Sequence, residues 1–398
     1  MSLSNAWQNV SKRWGHAFHA MCSYMAMFPP RLPHYFIEKF TRPGDVVLDP
    51  FCGRGTTPLQ ACVAGRIGIG VDLNPLAHVL TRAKVEAPPL AHLQARLRAL
   101  ENDMFYGATD DEPEQIRMLF HPATLRQLVH LKQVLDLADP CDNFIAATIL
   151  GILHGASSRD QTRSSYLSIS MPNTFSMSPN YIREYIRAKG LQQIPVDVFS
   201  AARRKFQRLF AHAPPAARGF AYRESIENLA RIANPHIRKR RVQLIVTSPP
   251  YLRVVKYGLY NWIRLWFLDE DADLLDRTLA TYHRLDEYLI FVRRALLRMY
   301  TTLQPGGVCC LVVGDVRDRA TGSSISLADE IWAMLRDSRS RFRLYDIVED
   351  RLPERRKVSK IWREKRGRAI QIDRIMVLYR DCIEELTDDV DWTPPAKG

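Results

Sequence analysis

Val46-Val47-Leu48-Asp49-Pro50-Phe51-Cys52-Gly53-Arg54-Gly55-Thr56-Thr57 sets the architecture of this chain. A short apolar run ends in a carboxylate, passes through a glycine-bearing turn and opens onto Pro58 to Ala64, which reads as a helix. The order is strand, turn, helix. At such a turn glycines let the backbone approach a ligand closely, and free N–H groups at the helix start suit carboxylate or polar oxygens. Gly-x-Gly alone is a weak signal. It is strengthened by Ile67-Gly68-Ile69-Gly70-Val71-Asp72, a second strand whose terminal acid lies about 20 residues after the first strand, where a carboxylate takes ribose hydroxyls.

Asp49 would repel a pyrophosphate, and the third glycine of the dinucleotide fingerprint is missing, so a nicotinamide dinucleotide is disfavoured. A carboxylate at that point matches a cationic group such as the amino group of a methionine-like moiety. That chemistry points to S-adenosylmethionine as cofactor.

A third stretch, Leu244-Ile245-Val246-Thr247-Ser248-Pro249-Pro250-Tyr251, is a buried strand delivering a rigid loop. Two prolines fix φ and cannot continue a sheet ladder, so the backbone leaves the strand in a nearly predetermined shape. Ser248 offers a hydroxyl, the neighbouring carbonyls offer acceptors, and Tyr251 offers a ring face, a set that holds an amino group on a planar base. An exocyclic ring amine is a poor nucleophile because its lone pair is delocalised. Acceptors at Ser248 and the Pro249 carbonyl favour its pyramidal, attacking form, and placing it in line with a sulfonium methyl supplies much of the acceleration. No nucleophilic cysteine is needed, and the Pro140-Cys141 pair, flanked by Asp139 and Asp142, reads as a helix-start turn.

Together, Asp49-Pro50-Phe51-x-Gly53-x-Gly55-Thr56-Thr57, Asp72-x-Asn74-Pro75 and Thr247-Ser248-Pro249-Pro250-Tyr251 resemble the amino-directed DNA methyltransferases, and the Ser-Pro-Pro-Tyr version is similar to their cytosine-N4 branch. The resemblance covers Trp14 to Lys84 and Phe220 to about Arg380. It implies a cofactor site of Phe28, Asp49, Pro50, Phe51, Gly53, Gly55, Thr56, Thr57, Asp72, Asn74 and Glu224, with Phe28 closing over the methionine end and Glu224 near the adenine. It implies catalytic roles for Ser248, Pro249, Pro250 and Tyr251, and a duplex substrate whose target base is flipped out and stacked on Tyr251. A cognate nuclease or defence system would be the partner of such a modification enzyme in restriction and modification. Adenine-N6 transfer, an RNA base methyltransferase and a nucleic-acid-binding protein without catalysis remain open readings of the same residues.

The 398 residues, 46% of them hydrophobic, are enough for one large domain with an insertion, and the net charge of +13 favours an anionic partner. No apolar run approaches the roughly 18 residues of a spanning helix, and the N-terminus has no signal-peptide core. Seven scattered cysteines suit a reducing cytoplasm, and Cys309-Cys310 read as buried thiols. His16, His19 and Cys22 are spaced like metal ligands but lack a partner cluster, so no metal is expected. The expected location is cytoplasmic and nucleoid-associated, as a monomer or homodimer.

Strand and helix alternation predicts an α/β, doubly wound, mostly parallel Rossmann-like methyltransferase sheet with a closing antiparallel strand and a helical insertion. The expected divisions are 1–87 with the cofactor motifs, 88–215 as a mainly helical insertion and candidate DNA-recognition region, 216–380 with the catalytic loop, and a 381–398 tail. Leu285 to Leu303 reads as a helix stopped by Pro305-Gly306-Gly307, Val308 to Val313 as a buried strand, and Leu344 to Val348 with Ile375 to Leu378 as a closing antiparallel pair. Tyr257 is near enough in sequence to the proline loop to help line the base pocket.

Two segments read as DNA contacts. Arg159, Gln161, Arg163, Ser164, Asn173, Thr174 and Tyr181 form a polar, aromatic-interleaved stretch within the insertion, which reads equally as a contact to phosphates or bases and as a surface loop with helix caps. Arg351 to Arg368 holds nine Lys/Arg against Glu354 and Glu364, with Arg355, Arg356, Lys357 and Lys360 placed to run along a phosphate backbone. Arg203, Arg204, Lys205 and Arg208 read as one face of a solvated basic helix.

Overall fold

The apolar runs become strands, and nearly all of them lie in one sheet. β1 (Val46–Asp49), β2 (Ile67–Asp72), β3 (Phe220–Arg223), β4 (Val242–Thr247) and β5 (Leu303–Gly314) run parallel to one another. A small separate ladder joins β6 (Val316–Arg317) to β7 (Ser324–Ile325). β8 (Phe342–Arg351) and β9 (Ile372–Arg380) then close the large sheet in antiparallel fashion, giving the order β3-β2-β1-β4-β5-β9-β8. This computed structural model describes all residues except 1–2, 12–13, 26–27, 105–107, 156–165, 172–175, 251, 253–255, 280–281, 318–322, 339, 352–371, 388 and 396–398.

The helices in chain order are α1 (Arg31–Phe40), α2 (Thr56–Val63), α3 (Pro75–Val85), α4 (Leu90–Asn102), α5 (Glu114–Arg117), α6 (Pro122–Val134), α7 (Pro140–Ile152), α8 (Pro179–Lys189), α9 (Val198–Leu209), α10 (Pro235–Arg238), α11 (Tyr257–Phe267), α12 (Ala272–Thr278), α13 (Leu285–Thr302) and α14 (Leu327–Asp337). Helices cover both faces of the sheet, so alternate residues along a strand serve different cores. Val46 and Leu48 join a cluster with Phe291 and Leu296 of α13 and Ile331 of α14. Val47 between them packs with Tyr35, Phe36 and Phe40 of α1. The same alternation runs through β5, where Cys309 and Leu311 face one cluster and Cys310 and Val312 the other. Both cysteines are fully buried thiols.

The insertion between β2 and β3 is helical and shares its core with the sheet-bearing part. Phe144 and Ile149 of α7 and Phe199 and Phe206 of α9 lie in one cluster with Leu76 and Leu80 of α3 and with Phe18 and Met21 near the N-terminus. Asp139 caps α7 by accepting from the backbone N–H groups of Cys141 (2.8 Å) and Asp142 (3.0 Å), so the Pro-Cys pair is a helix start. On α9, Arg203 pairs with Glu101, and Lys205 donates to the carbonyl of Ala20 at 2.8 Å, so two members of the basic face are tied to neighbours.

Pro305-Gly306-Gly307 lies inside a strand rather than between a helix and a strand. Leu303 already pairs with Val242, and the next register pair is Leu244 with Val308, so the proline and glycines are carried as a bulge. Gly306, at φ +78°, takes the left-handed conformation that this excursion needs. The helix ends at Thr302 because Leu303 enters the ladder.

The residues after β9 pack back along α1. Leu386 donates its N–H to the carbonyl of Lys39 (2.9 Å), Lys39 pairs with Glu385 (2.7 Å), and the Trp14 indole donates to the Trp392 carbonyl (2.9 Å). From β1 the chain proceeds to β2 and β3 on one side, whereas β4 and β5 stack on the other. The crevice at the carboxyl ends therefore opens between β1 and β4, the point at which open α/β sheets bind their ligands.

Candidate functional site

A cavity of about 280 Å³ occupies that crevice. Its walls include Pro50, Phe51 and Gly53 from the turn after β1, Asp72 and Asn74 after β2, Glu224 after β3, and Ser248, Pro249 and Pro250 after β4. Segments that lie far apart in sequence converge because every parallel strand ends at the same edge.

The turn after β1 requires its glycines. Gly55 has φ +76°, and a Cβ there would lie 2.6 Å from the Thr81 hydroxyl and 3.0 Å from the Thr81 backbone. Gly53 has φ +49°, and a Cβ would come within 3.2 Å of the Tyr24 ring, which the bare backbone lets approach. Asp72 accepts from the N–H of Gly53 and from the N–H of Asn74, both at 2.9 Å. Burial raises the Asp72 carboxyl above its ordinary range, and these backbone donors oppose the rise. Asn74 caps α3 by accepting from Leu76 N–H (3.0 Å) and donates to the Tyr24 hydroxyl (3.1 Å). Glu224 is bound to Ser225 N–H (2.7 Å) and Asn228 (3.1 Å) through one carboxylate oxygen, Oε1.

Asp49 sits differently. It is 1% exposed, does not line the cavity, and uses Oδ1 to accept from the Thr247 hydroxyl (2.6 Å) and the Phe51 N–H (3.2 Å). Burial pushes its carboxyl up to about 7, against the pull of those donors. Thr57 is also buried and donates to the carbonyl of Val246 at 3.0 Å. Gly55, Thr56 and Thr57 lie behind the cavity wall at the start of α2. Phe28 packs against the α1 cluster, away from the cavity.

At the end of β4 the Ser248 hydroxyl, also at the cavity, is buried and has no hydrogen-bond partner among the described residues. Such a group costs free energy unless a ligand satisfies it. Tyr251 lies outside the described residues, as do Arg159, Gln161, Arg163, Ser164, Asn173, Thr174, Arg355, Arg356, Lys357 and Lys360. Tyr181 is described and stacks on Tyr185 at 6.3 Å in α8.

Tyr257 does line the cavity, at the first turn of α11, and Asp276 holds that turn by accepting from Gly258 N–H (2.7 Å) and Leu259 N–H (3.0 Å). Its ring faces that of Tyr24 at 6.3 Å. Tyr24, Tyr282, Phe291 and Arg294 are cavity residues that the motifs did not indicate. Tyr282 stacks on Phe291 at 4.8 Å, and Phe291 meets Phe51 at 5.9 Å. Leu73 and Ile226 also line it, and their positions just after Asp72 and Glu224 were the available signal. No cysteine lines the cavity among the described residues. Cys52 behind it is a buried thiol whose pKa burial, Asp72 and Asp49 raise well above its ordinary value.

His16 and His19 bond to the Ala213 carbonyl (2.7 Å) and the Gln60 side chain (3.3 Å), and Cys22 to the Leu150 carbonyl (3.7 Å). Among the described residues no cluster of three His, Cys, Asp or Glu side chains is arranged for a metal ion, and no helix is long and apolar enough to cross a membrane.

Residues 2–81 match the N6/N4 methyltransferase family model, described as DNA methylase. The Type II methyltransferase M.MjaII of Methanocaldococcus jannaschii is 31% identical over 84 residues, which is 21% of this chain and 16% of that protein. The Type II methyltransferase M.BglI of Bacillus subtilis is 32% identical over 96 residues, covering 24% of this chain and 27% of that protein. The matched segments are thus a small part of the length of these relatives. Among solved structures, a SAM-dependent methyltransferase from Methanosarcina mazei aligns over 87% of this chain and 96% of its own, with 11% identity and a TM-score of 0.32.

Proposed function

We propose that this chain is an S-adenosylmethionine-dependent DNA methyltransferase that modifies an exocyclic base amine, with cytosine N4 as its target. One observation carries the reading: the unpartnered Ser248 hydroxyl lies on a proline-fixed loop in the same cavity as Asp72 and Glu224. The match of residues 2–81 to the DNA methylase model supports the substrate class.

The cavity residues fit the cofactor. Asp72 and Glu224 are carboxylates for ribose hydroxyls and an adenine amine, and Gly53 leaves room at the turn for close approach. Bound there, S-adenosylmethionine supplies an electrophilic methyl group. Ser248 Oγ and the Pro249 carbonyl accept hydrogen bonds from the target amine and hold its lone pair toward that methyl. Tyr24 and Tyr257 supply aromatic walls, and Tyr251 is the stacking partner proposed for a base flipped from the duplex. The proton released from the amine leaves to solvent, and the chain forms no covalent bond to the base. Arg159, Arg163, Arg355, Arg356, Lys357 and Lys360 are proposed phosphate contacts. A role beside a cognate nuclease, in the cytoplasm and bound to the nucleoid, is part of the same proposal.

The deciding measurement is incubation with methyl-labelled cofactor and unmethylated genomic DNA, then digestion and mass spectrometry of the nucleosides. N4-methylcytosine is the expected product. N6-methyladenine would keep the mechanism and change the base, and the absence of any labelled nucleoside would overturn the proposal.

A further inference from the structure

The backbone ladder between β1 and β4 stops short of the cavity. Its last register pair is Leu48 with Ile245. Beyond it side chains tie the end of β4 to β1 and to the helix that follows it: the Thr247 hydroxyl donates to Asp49 Oδ1 at 2.6 Å, and the Thr57 hydroxyl of α2 donates to the Val246 carbonyl at 3.0 Å. Asp49 Oδ1 also accepts the Phe51 N–H at 3.2 Å. One carboxylate oxygen therefore binds the backbone of the turn that carries Phe51 and Gly53, and the residue immediately before Ser248. Thr247, Asp49 and Thr57 are all buried, so neither water nor a ligand competes for these bonds in the folded chain.

We propose that the Thr247–Asp49 hydrogen bond is a positioning link that fixes the Ser248-Pro249-Pro250 loop against the cofactor turn, making Thr247 a positioning residue for methyl transfer. The inference rests on the function proposed above. Ser248 Oγ has no partner among the described residues to hold its own place, and the two prolines behind it contribute no N–H groups. Its location is inherited from the backbone that Thr247 anchors. Release of the link shifts the amine acceptor relative to the cofactor turn, and a displacement of about 1 Å at a reacting centre lowers rates by about 100-fold. The carboxylate also serves both loops at once, so a change at the cofactor turn reaches the base loop through one atom.

The test compares wild type with Thr247→Val, which keeps the shape but removes the donor, and Thr247→Ser, which keeps the donor. Three quantities are measured: cofactor affinity by calorimetry, single-turnover methyl transfer to unmethylated DNA, and amide hydrogen exchange of the peptide that carries Ser248 and Leu252. Thr247→Val is expected to hold cofactor affinity within about 3-fold, to slow transfer by at least about 10-fold and to speed exchange in that peptide. Thr247→Ser is expected to return both rate and exchange to within about 2-fold of wild type, a rescue that packing alone would not give. Wild-type rate and exchange in Thr247→Val overturn the link, as does equal impairment of the valine and serine variants. Thr247→Ala gives the same comparison if the valine variant does not fold. If wild type transfers no methyl group to DNA, the proposed reaction falls, and hydrogen exchange alone then decides whether the link exists.

Discussion

The turn after β1 and the loop after β4 face the same cavity, yet they satisfy their polar groups in different ways. In the turn, Gly53 N–H reaches Asp72 (2.9 Å), Cys52 N–H reaches the Val71 carbonyl (3.1 Å) and Gly55 N–H reaches the Cys52 carbonyl (2.7 Å). Positive-φ glycines make that geometry available, and the end of β2 supplies acceptors for the turn. The loop after β4 is shaped by prolines instead, and it leaves the Ser248 hydroxyl buried and unpartnered among the described residues. A turn whose polar groups are already satisfied can bind by shape and charge. An unsatisfied acceptor in a rigid loop has its hydrogen bond in reserve for whatever enters the cavity, and the folded protein bears the cost of that unmet group.

The contrast breaks first at Asp72. Asp72→Ala removes the acceptor that organises Gly53 and Asn74 together with the proposed ribose ligand, so cofactor affinity should fall by about 100-fold or more. Calorimetry measures this directly, and an affinity near wild type would mean that the turn does not form the cofactor site. Ser248→Ala should do the reverse. Removing an unsatisfied buried hydroxyl leaves the fold as stable or up to about 1 kcal/mol more stable, whereas single-turnover transfer falls by about 10- to 100-fold. Denaturant melts alongside rapid-quench kinetics would show whether the two effects separate, and a less stable variant with an unchanged rate would refute the reserve role.

The third expected effect appears as a slope of stability against pH. Asp49 has its carboxyl pushed up to about 7 by burial, well above the unfolded value near 3.8. Between those limits the folded state keeps a proton that the unfolded chain has released. The stability contributed by the buried carboxyl is therefore complete below about pH 4 and is lost as pH rises toward 7, at up to about 1.4 kcal/mol per pH unit. Asp49→Asn has no such proton and should gain on wild type across that range. Urea midpoints at pH 5, 6 and 7 test this, and parallel profiles for the two proteins would show that Asp49 is ionised throughout.

These two strand-end acids also mark how far local sequence reaches. Asp49 and Asp72 look alike in the chain, each closing a short apolar run, and the strand, turn and helix around them follow from local pattern. The residues do not have the same job in the fold. β1 is central, flanked by β2 and β4, and the end of β4 covers Asp49 with Thr247. The end of β2 leaves Asp72 at the cavity wall beside the short strand β3.

The sequence by itself determined the α/β sheet, the glycine turn and the proline loop, because glycine, proline and apolar alternation act on the backbone within a few residues. The bulge at Pro305-Gly306-Gly307 was not legible, since only the pairing of Leu303 with Val242 makes that segment part of a strand. Tertiary structure alone decided that Tyr24 and Tyr257 meet at the cavity, that Phe291 and Tyr282 line it, and that Phe28 packs against the α1 cluster. The physical reason is that these contacts depend on how separate elements stack on the two faces of the sheet, and packing of that kind leaves no fixed spacing along the chain.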